Sequence, residues 1–463
     1  MLRGIALAVV LLVGTPATAG AVVPTAPGAG GSPLAIRTLA DRITTTALRS
    51  IDDRGRIWDP IGRNLIGYYG PAGFGYAGLR AAARTGDRDL RERAIRALML
   101  SVRERHATPF DQWLVAKAYR WAHRRLAADR DWQQVAPQIA AYLDDPPFRS
   151  AAQPPSAGWI DPRRYNNWKL VELAARTTAT AAGRFPASPR RSSRLRTIGR
   201  LAIGAAATPV RSSWIAARAR ALSDPPSNPI AYSTLSAVML RDVGLADPPR
   251  DRVALRRLRE QVGRYLAAVM APNGTLAWSG RSAELSWTLA AAMVVGADRD
   301  DRAGRGMANA AWRRLRDAYG IRPDGYLAIA PVLRDGDDAS GIDRYANTVI
   351  YGGLTAVLLN DAADALDGQP ALAGGPPAAT RSGTTSDIAG SGAVAARRGD
   401  VWWAATLRPS HLDLRYQPGL EAIQVRDRGG WHELLPARPK VGAPRSLWPA
   451  PAGCSWRAAG PTR

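Results

Sequence analysis

Between about residue 35 and residue 367 the chain is apolar at helical spacing, and Pro and Gly clusters separate the periodic stretches. Two kinds of helix alternate. One kind starts with Gly, Asn, Ser or an aromatic residue and then turns small and apolar. These fall near 75–79, 111–114, 166–170, 230–233, 282–287 and 345–349. The other kind keeps a dense Arg face beside an apolar stripe, as in 88–105, 131–143, 192–206, 252–270 and 302–318. A helix covered nearly all round loses its charged face, whereas an outer helix keeps one. No single hairpin buries its apolar surface alone, so such hairpins stack. The alternation predicts a mainly α protein: an (α/α)6 toroid of inner and outer helices over 35–367. An open α-solenoid is the alternative.

The period changes after a low-complexity joint over 368–392. Segments 393–408, 411–416, 420–427 and 431–435 are short and alternating, and they read as strands. A short, truncated antiparallel β domain is therefore expected over 393–438, followed by an irregular Pro/Trp/Arg-rich tail over 439–463. At the other end, Met1-Leu2-Arg3 precedes an apolar run over 4–14 and the small residues Ala17-Thr18-Ala19. That pattern reads as a secretory signal peptide over 1–19, with a Pro/Gly/Ala linker over 20–34. The apolar run is too short for a convincing span. The expectation is a secreted or cell-envelope protein with no membrane span after cleavage.

Composition narrows the chemistry. Hydrophobic residues make up 46%, which excludes a disordered chain. Cys454 is the single cysteine and there are four histidines, so no intrachain disulfide, metal site or cofactor is expected. Formal net charge is +24, and only Lys117, Lys169 and Lys440 among the 63 basic residues are lysine. Such an arginine skew reads either as a GC-rich coding bias or as a field for polyanions. No nucleic-acid motif accompanies it, so an acidic polysaccharide suits it better than a nucleic acid. No phosphate loop, dinucleotide fingerprint or nucleophile elbow is present.

In a helical ring the starts of the inner helices converge on one mouth. The segments 57–76, 159–172, 272–287 and 323–351 lead into those starts and are rich in Trp, Tyr, Asn, Arg and Asp. Aromatic faces stack on sugar rings, and Arg pairs with acidic groups. Tyr76, Trp113, Trp168 and Trp278 are the candidate aromatic contacts. Asn166 and Asn167 read either as helix caps or as amides that polarise a uronate carboxylate. Arg164 and Tyr165 precede them. Arg344, Tyr345 and Asn347 open the last inner helix, where a tyrosine beside arginine is suited to proton transfer and a cap-plus-core role is the alternative. Arg281 binds a carboxylate in one reading and Glu284 in the other. Hydrolysis would instead draw on Asp59, Asp111, Asp161, Glu172, Glu284, Asp324 and Asp343. His106 is expected to face solvent.

The layout of signal peptide, toroid and C-terminal β region resembles secreted polysaccharide lyases of the chondroitin AC, hyaluronate and heparinase II/III-like type. Asn166-Asn167-Trp168 looks like their Asn/Trp-bearing cleft loop, and Arg344-Tyr345-Ala346-Asn347 like a tyrosine-bearing one. The resemblance implies β-elimination on a uronate polysaccharide. Asn167 or Asn166 would neutralise the carboxylate, and Tyr345 or Tyr165 would move the proton. Arg164, Arg281 or Arg344 would support them. A glycoside hydrolase on the same scaffold and a non-catalytic envelope glycan-binding protein are the alternatives.

Overall fold

The computed structural model describes residues 31–145, 167–184, 211–214, 219–222, 224, 229–246, 249–280, 282–299, 301–331, 347–388, 390–407 and 418–435. The expected signal peptide, the outer helix near 192–206, the strand over 411–416 and the tail over 439–463 lie outside them.

Helix starts follow local chemistry. Helix α1 (Pro33–Arg49) opens with Pro after the cap Ser32, whose hydroxyl accepts the Ala35 N–H at 3.2 Å. The outer helices α3 (Arg88–Arg103) and α5 (Arg130–Asp144) use Asp87 and Asp129 as caps. The outer helix α10 (Arg302–Arg314) uses Asp301. The inner helices are α2 (Gly70–Thr85), α4 (Pro109–Arg125) and α6 (Asn167–Ala181), then α7 (Ile230–Ala246), α9 (Ser286–Ala297) and α11 (Thr348–Ala365). Every residue of α9 is buried, which is why its sequence shows no polar face. The outer helix α8 (Pro249–Val269) packs on α7, and α1 packs outside α2 and α11.

Each inner helix packs on the next, and α11 returns to α2. The ring is closed, so the fold is the (α/α)6 toroid and not the open solenoid. The closing seam is built from glycine. A Cβ on Gly73 would lie 2.9 Å from the carbonyl carbon of Gly353, and one on Gly70 would lie 2.7 Å from the Val349 oxygen. Only helices without side chains at these points approach so closely. No described helix is long and apolar enough to cross a membrane.

A hairpin of β1 (Ile57–Asp59) and β2 (Asn64–Ile66) precedes α2. The larger sheet has six antiparallel strands in the order β3 to β8. They are β3 (Arg211–Ser212), β4 (Gly383–Asp387), β5 (Ala393–Arg398), β6 (Val401–Thr406), β7 (Gly419–Asp427) and β8 (Gly430–Leu435). The joint expected over 368–392 is thus partly ordered, because it contains the short helix α12 (Pro377–Thr380) and β4. The sequence GTTSD has no large apolar residue to mark it. Its strand character comes from pairing with β5 and from burial of Thr385 and Asp387. The sheet docks on the toroid through polar contacts. Asn273 Nδ2 donates to Glu433 at 2.6 Å, and Arg314 bridges Glu433 at 2.9 Å and Glu284 at 3.0 Å.

Candidate functional site

Ring contacts place the six inner-helix N-termini at one mouth. Tyr69, the residue before α2, stacks on Phe110 of α4 at 4.8 Å, and Phe110 meets Trp168 of α6 edge-on at 5.7 Å. Exposed Tyr68 extends this row outward, 4.8 Å from Tyr69. Across the ring, Tyr232 of α7, Trp287 of α9 and Tyr351 of α11 form a second row. The second row is buried, with Trp287 1% exposed, whereas exposed Tyr68 and half-buried Trp168 at the ends of the first row are suited to stacking on sugar rings.

The same helix starts hold polar groups without partners. Neither atom of the Asn167 amide has a hydrogen-bond partner, and neither has the Gln112 amide, although both residues are buried. Trp287 Nε1 and Thr348 Oγ1 are unpartnered too. All four residues lie in the first turn of an inner helix. A buried polar atom left unpaired costs about 1–3 kcal/mol, so four gathered at one opening need a reason. Asn167 is not a cap. Its backbone N–H donates to the buried Asp224 at 3.0 Å, and its side chain is left over.

Other candidates take structural roles. Asn347 caps α11, with Oδ1 accepting the Ile350 N–H at 2.9 Å. Trp278 is fully buried and donates from Nε1 to the Val269 carbonyl at 2.8 Å. Trp113 is also fully buried, and its Nε1 donates to Asp242 at 2.8 Å. Tyr76 is buried inside the ring, under the Arg80 guanidinium. Neither Trp113 nor Tyr76 presents a face to the mouth. They belong to a charged network around Lys117, whose Nζ donates to Asp242 at 2.9 Å and to Asp361 at 2.7 Å. Burial works to raise the Asp242 carboxyl, but Lys117 and Arg241 outweigh it and hold the group below the usual carboxylate range. Burial lifts Asp361 above that range. Tyr165, Asn166, Arg164, Arg281, Arg344 and Tyr345 lie outside the described residues.

The described carboxylates at the helix starts are committed to the protein. Asp59 accepts backbone N–H groups from Ile61, Gly62 and Val349. Asp111 accepts from Ser101 Oγ at 2.6 Å and Thr108 Oγ1 at 2.5 Å. Asp324 pairs with Arg322, and Glu172 with Arg176. Glu284 is 2% exposed, and burial raises its carboxyl above the ordinary value although the Arg314 ion pair opposes the shift. Ser282 and Glu284 both have left-handed backbones, at φ 62° and 54°. Tyr232 Oη lies 3.0 Å from Ser282 Oγ, and Tyr319 donates to the Glu284 carbonyl at 2.9 Å, so the turn into α9 is held rigidly.

His106 does not face solvent as its sequence context suggests. Its Nδ1 lies 3.1 Å from Asp111 and its Nε2 lies 3.1 Å from Glu104, and its side chain is 17% exposed. The Asp111 hydrogen bond raises its pKa, against the effect of burial. The sequence reasoning missed Gln112, Trp287, Thr348 and Phe110 as mouth residues. Their common signal is position, one to four residues into each inner helix, the offset that singled out Asn167.

No protein-family model matches the chain, and no curated protein matches it. It is similar to solved structures of low identity. A glycosyl hydrolase of family 88 from Bacteroides vulgatus shares 12% identity at a TM-score of 0.44, over 72% of this chain and 99% of that one. Cellobiose 2-epimerase from Spirochaeta thermophila shares 15% at 0.49, over 72% and 98%. A polysaccharide lyase shares 11% at 0.42, over 72% and 97%. Likeness at this level does not bear on the chemistry of the mouth.

Proposed function

We propose that this protein is an exported polysaccharide lyase that cleaves a uronate-containing polysaccharide at the toroid mouth by β-elimination. The observation that carries the reading is the buried, unpartnered Asn167 amide beside half-buried Trp168. An amide donating to a uronate carboxylate withdraws charge from it and makes the proton on C5 more acidic. A base removes that proton, the C4–O4 bond breaks, a C4–C5 double bond forms and the departing O4 takes a proton. Tyr165 and Tyr345 are the proposed proton carriers, with Arg164, Arg281 and Arg344 supporting. Half-buried Trp168 and exposed Tyr68 offer the sugar faces. The arginine-rich surface favours an acidic chain over a neutral one.

Glycoside hydrolysis needs two available carboxyl groups across a sugar. Asp161 and Asp343 lie outside the described residues, and among the described carboxylates Asp59, Asp111 and Glu284 are each taken up by protein donors, which favours elimination over hydrolysis.

The test is absorbance of the unsaturated uronate product in the near ultraviolet, across a panel of uronate polysaccharides. A rise on one substrate, reduced about 10²-fold or more in Asn167→Ala, supports the proposal. New reducing ends without the chromophore would mean hydrolysis. Binding with neither signal would mean a glycan-binding protein without catalysis.

A further inference from the structure

A second recess opens at the far end of the ring. It lies between α7, α8 and the C-terminal end of α9, and its volume is about 470 Å³. Five guanidinium groups line it: Arg241, Arg256, Arg259, Arg264 and Arg299. Three carboxylates share them. Asp298 receives Arg241 at 2.9 Å and Arg259 at 3.4 Å, Glu260 meets Arg256 and Arg264 only at 3.4 and 3.8 Å, and Asp301 takes Arg299. A fourth, Asp242, also lies 3.8 Å from Arg241, so one positive charge is left over among the described residues, and Arg256 and Arg264 are the loosely held cations.

The recess is shaped for these side chains. A Cβ on Gly263 would lie 2.7 Å from Arg299 Cδ, and one on Gly304 would lie 2.5 Å from Arg299 Cβ. The two glycines leave the channel in which Arg299 lies, 7% exposed. Arg259 Nε is buried and donates to nothing. Burial, Arg241 and Arg256 all disfavour the charge on Arg259, although Asp298 supports it. Crowded cations with a spare buried donor are stabilised by an added anion. A guanidinium offers its N–H groups as a planar fork, which fits paired oxygens better than a spherical halide.

We infer that this recess binds a tetrahedral oxyanion, a sulfate or phosphate group, between Arg256, Arg259 and Arg264. The site is separate from the mouth and does not rest on the proposed lyase activity. The group could be free or carried on a sugar, and the recess is large enough for either.

The experiment is calorimetric and thermal-unfolding titration of the full chain with sodium sulfate, inorganic phosphate and a sulfated disaccharide. Sodium chloride at matched ionic strength is the reference, because a chain of charge +24 responds to any salt. Saturable binding of sulfate or phosphate beyond the chloride response is expected. Arg256→Gln should weaken it about tenfold, the loss of one charge-assisted contact. Arg256 is 74% exposed and holds only the loose Glu260 pair, so this variant folds. Arg259→Gln should weaken binding further. Arg88→Gln, an equal charge loss on exposed α3, should leave it unchanged. A stronger response to the sulfated disaccharide than to sulfate identifies a sugar-borne group, and the reverse identifies the free ion. A sulfate response equal to chloride, or one equally reduced by Arg88→Gln, overturns the inference.

Discussion

Asp59 Oδ2 accepts the backbone N–H of Val349 at 3.0 Å, so a residue of the first hairpin caps the last inner helix. Its Oδ1 accepts from Ile61 at 2.9 Å and Gly62 at 2.7 Å, which fixes the hairpin turn at the same time. One buried carboxylate thus holds both sides of the ring closure.

Asp59→Ala should therefore destabilise the whole toroid. Three N–H groups lose their acceptor, those of Ile61 and Val349 buried and that of Gly62 exposed, and each buried loss costs about 1–3 kcal/mol before relaxation and water recover part of it. A net loss of about 2–4 kcal/mol is expected in denaturant unfolding. An unchanged midpoint would show that the closure does not depend on this residue.

Lys117→Met should be among the most destabilising substitutions in the helices. It leaves Asp242 and Asp361 buried together without their shared cation, at a cost of about 3–5 kcal/mol. Adding Asp242→Leu and Asp361→Leu should restore much of the loss, since an apolar trio of similar volume needs no counter-charge. Comparing the single and triple variants by thermal unfolding separates the role of charge from that of packing.

Stability should fall as pH rises through neutrality. His106 has its pKa raised in the folded state by Asp111, so its protonated form favours folding. The contribution is complete below the unfolded value near pH 6.5 and disappears as pH passes the higher folded value. His106→Gln should flatten this part of the profile of melting temperature against pH. A wild-type profile that rises between pH 6 and 8 would contradict the sign.

Asn167→Leu should stabilise the protein while abolishing the proposed β-elimination. The wild-type amide is buried without partners, so an apolar side chain of similar size removes an unpaired donor and acceptor. The melting temperature is expected to rise by a few degrees, corresponding to about 1 kcal/mol. A fall in stability would mean that the amide is satisfied in solution and is not held ready for a ligand.

The ring was legible because burial leaves a periodic trace. Six apolar stretches with polar starts, alternating with Arg-faced stretches, correspond to the inner and outer helices wherever both are described. The strand β4 left no trace, because Gly383–Asp387 holds its place through backbone pairing rather than apolar side chains. The site was less legible. Sequence gives the order of polar residues at a helix start but not the direction of each side chain. Asn347 turns back onto its own helix, and Asn167 does not, because Asp224 takes its backbone N–H. Trp113 and Trp278 have the residue type of a sugar platform, but both are fully buried with their indole N–H groups bonded to the protein. His106 follows a charged helix, and only the fold brings Asp111 against it.

The glycine seam between α2 and α11 also sets an order of events at the ribosome. Gly353 is made about 280 residues after Gly73, a delay of roughly 15 to 55 s at ordinary elongation rates. Throughout that interval the growing chain is an arc with one uncovered flank, and the first inner helix waits for a neighbour that does not yet exist. The joint that closes the ring is therefore made only after most of the helical chain has been synthesised, and the strands from β4 onward follow it.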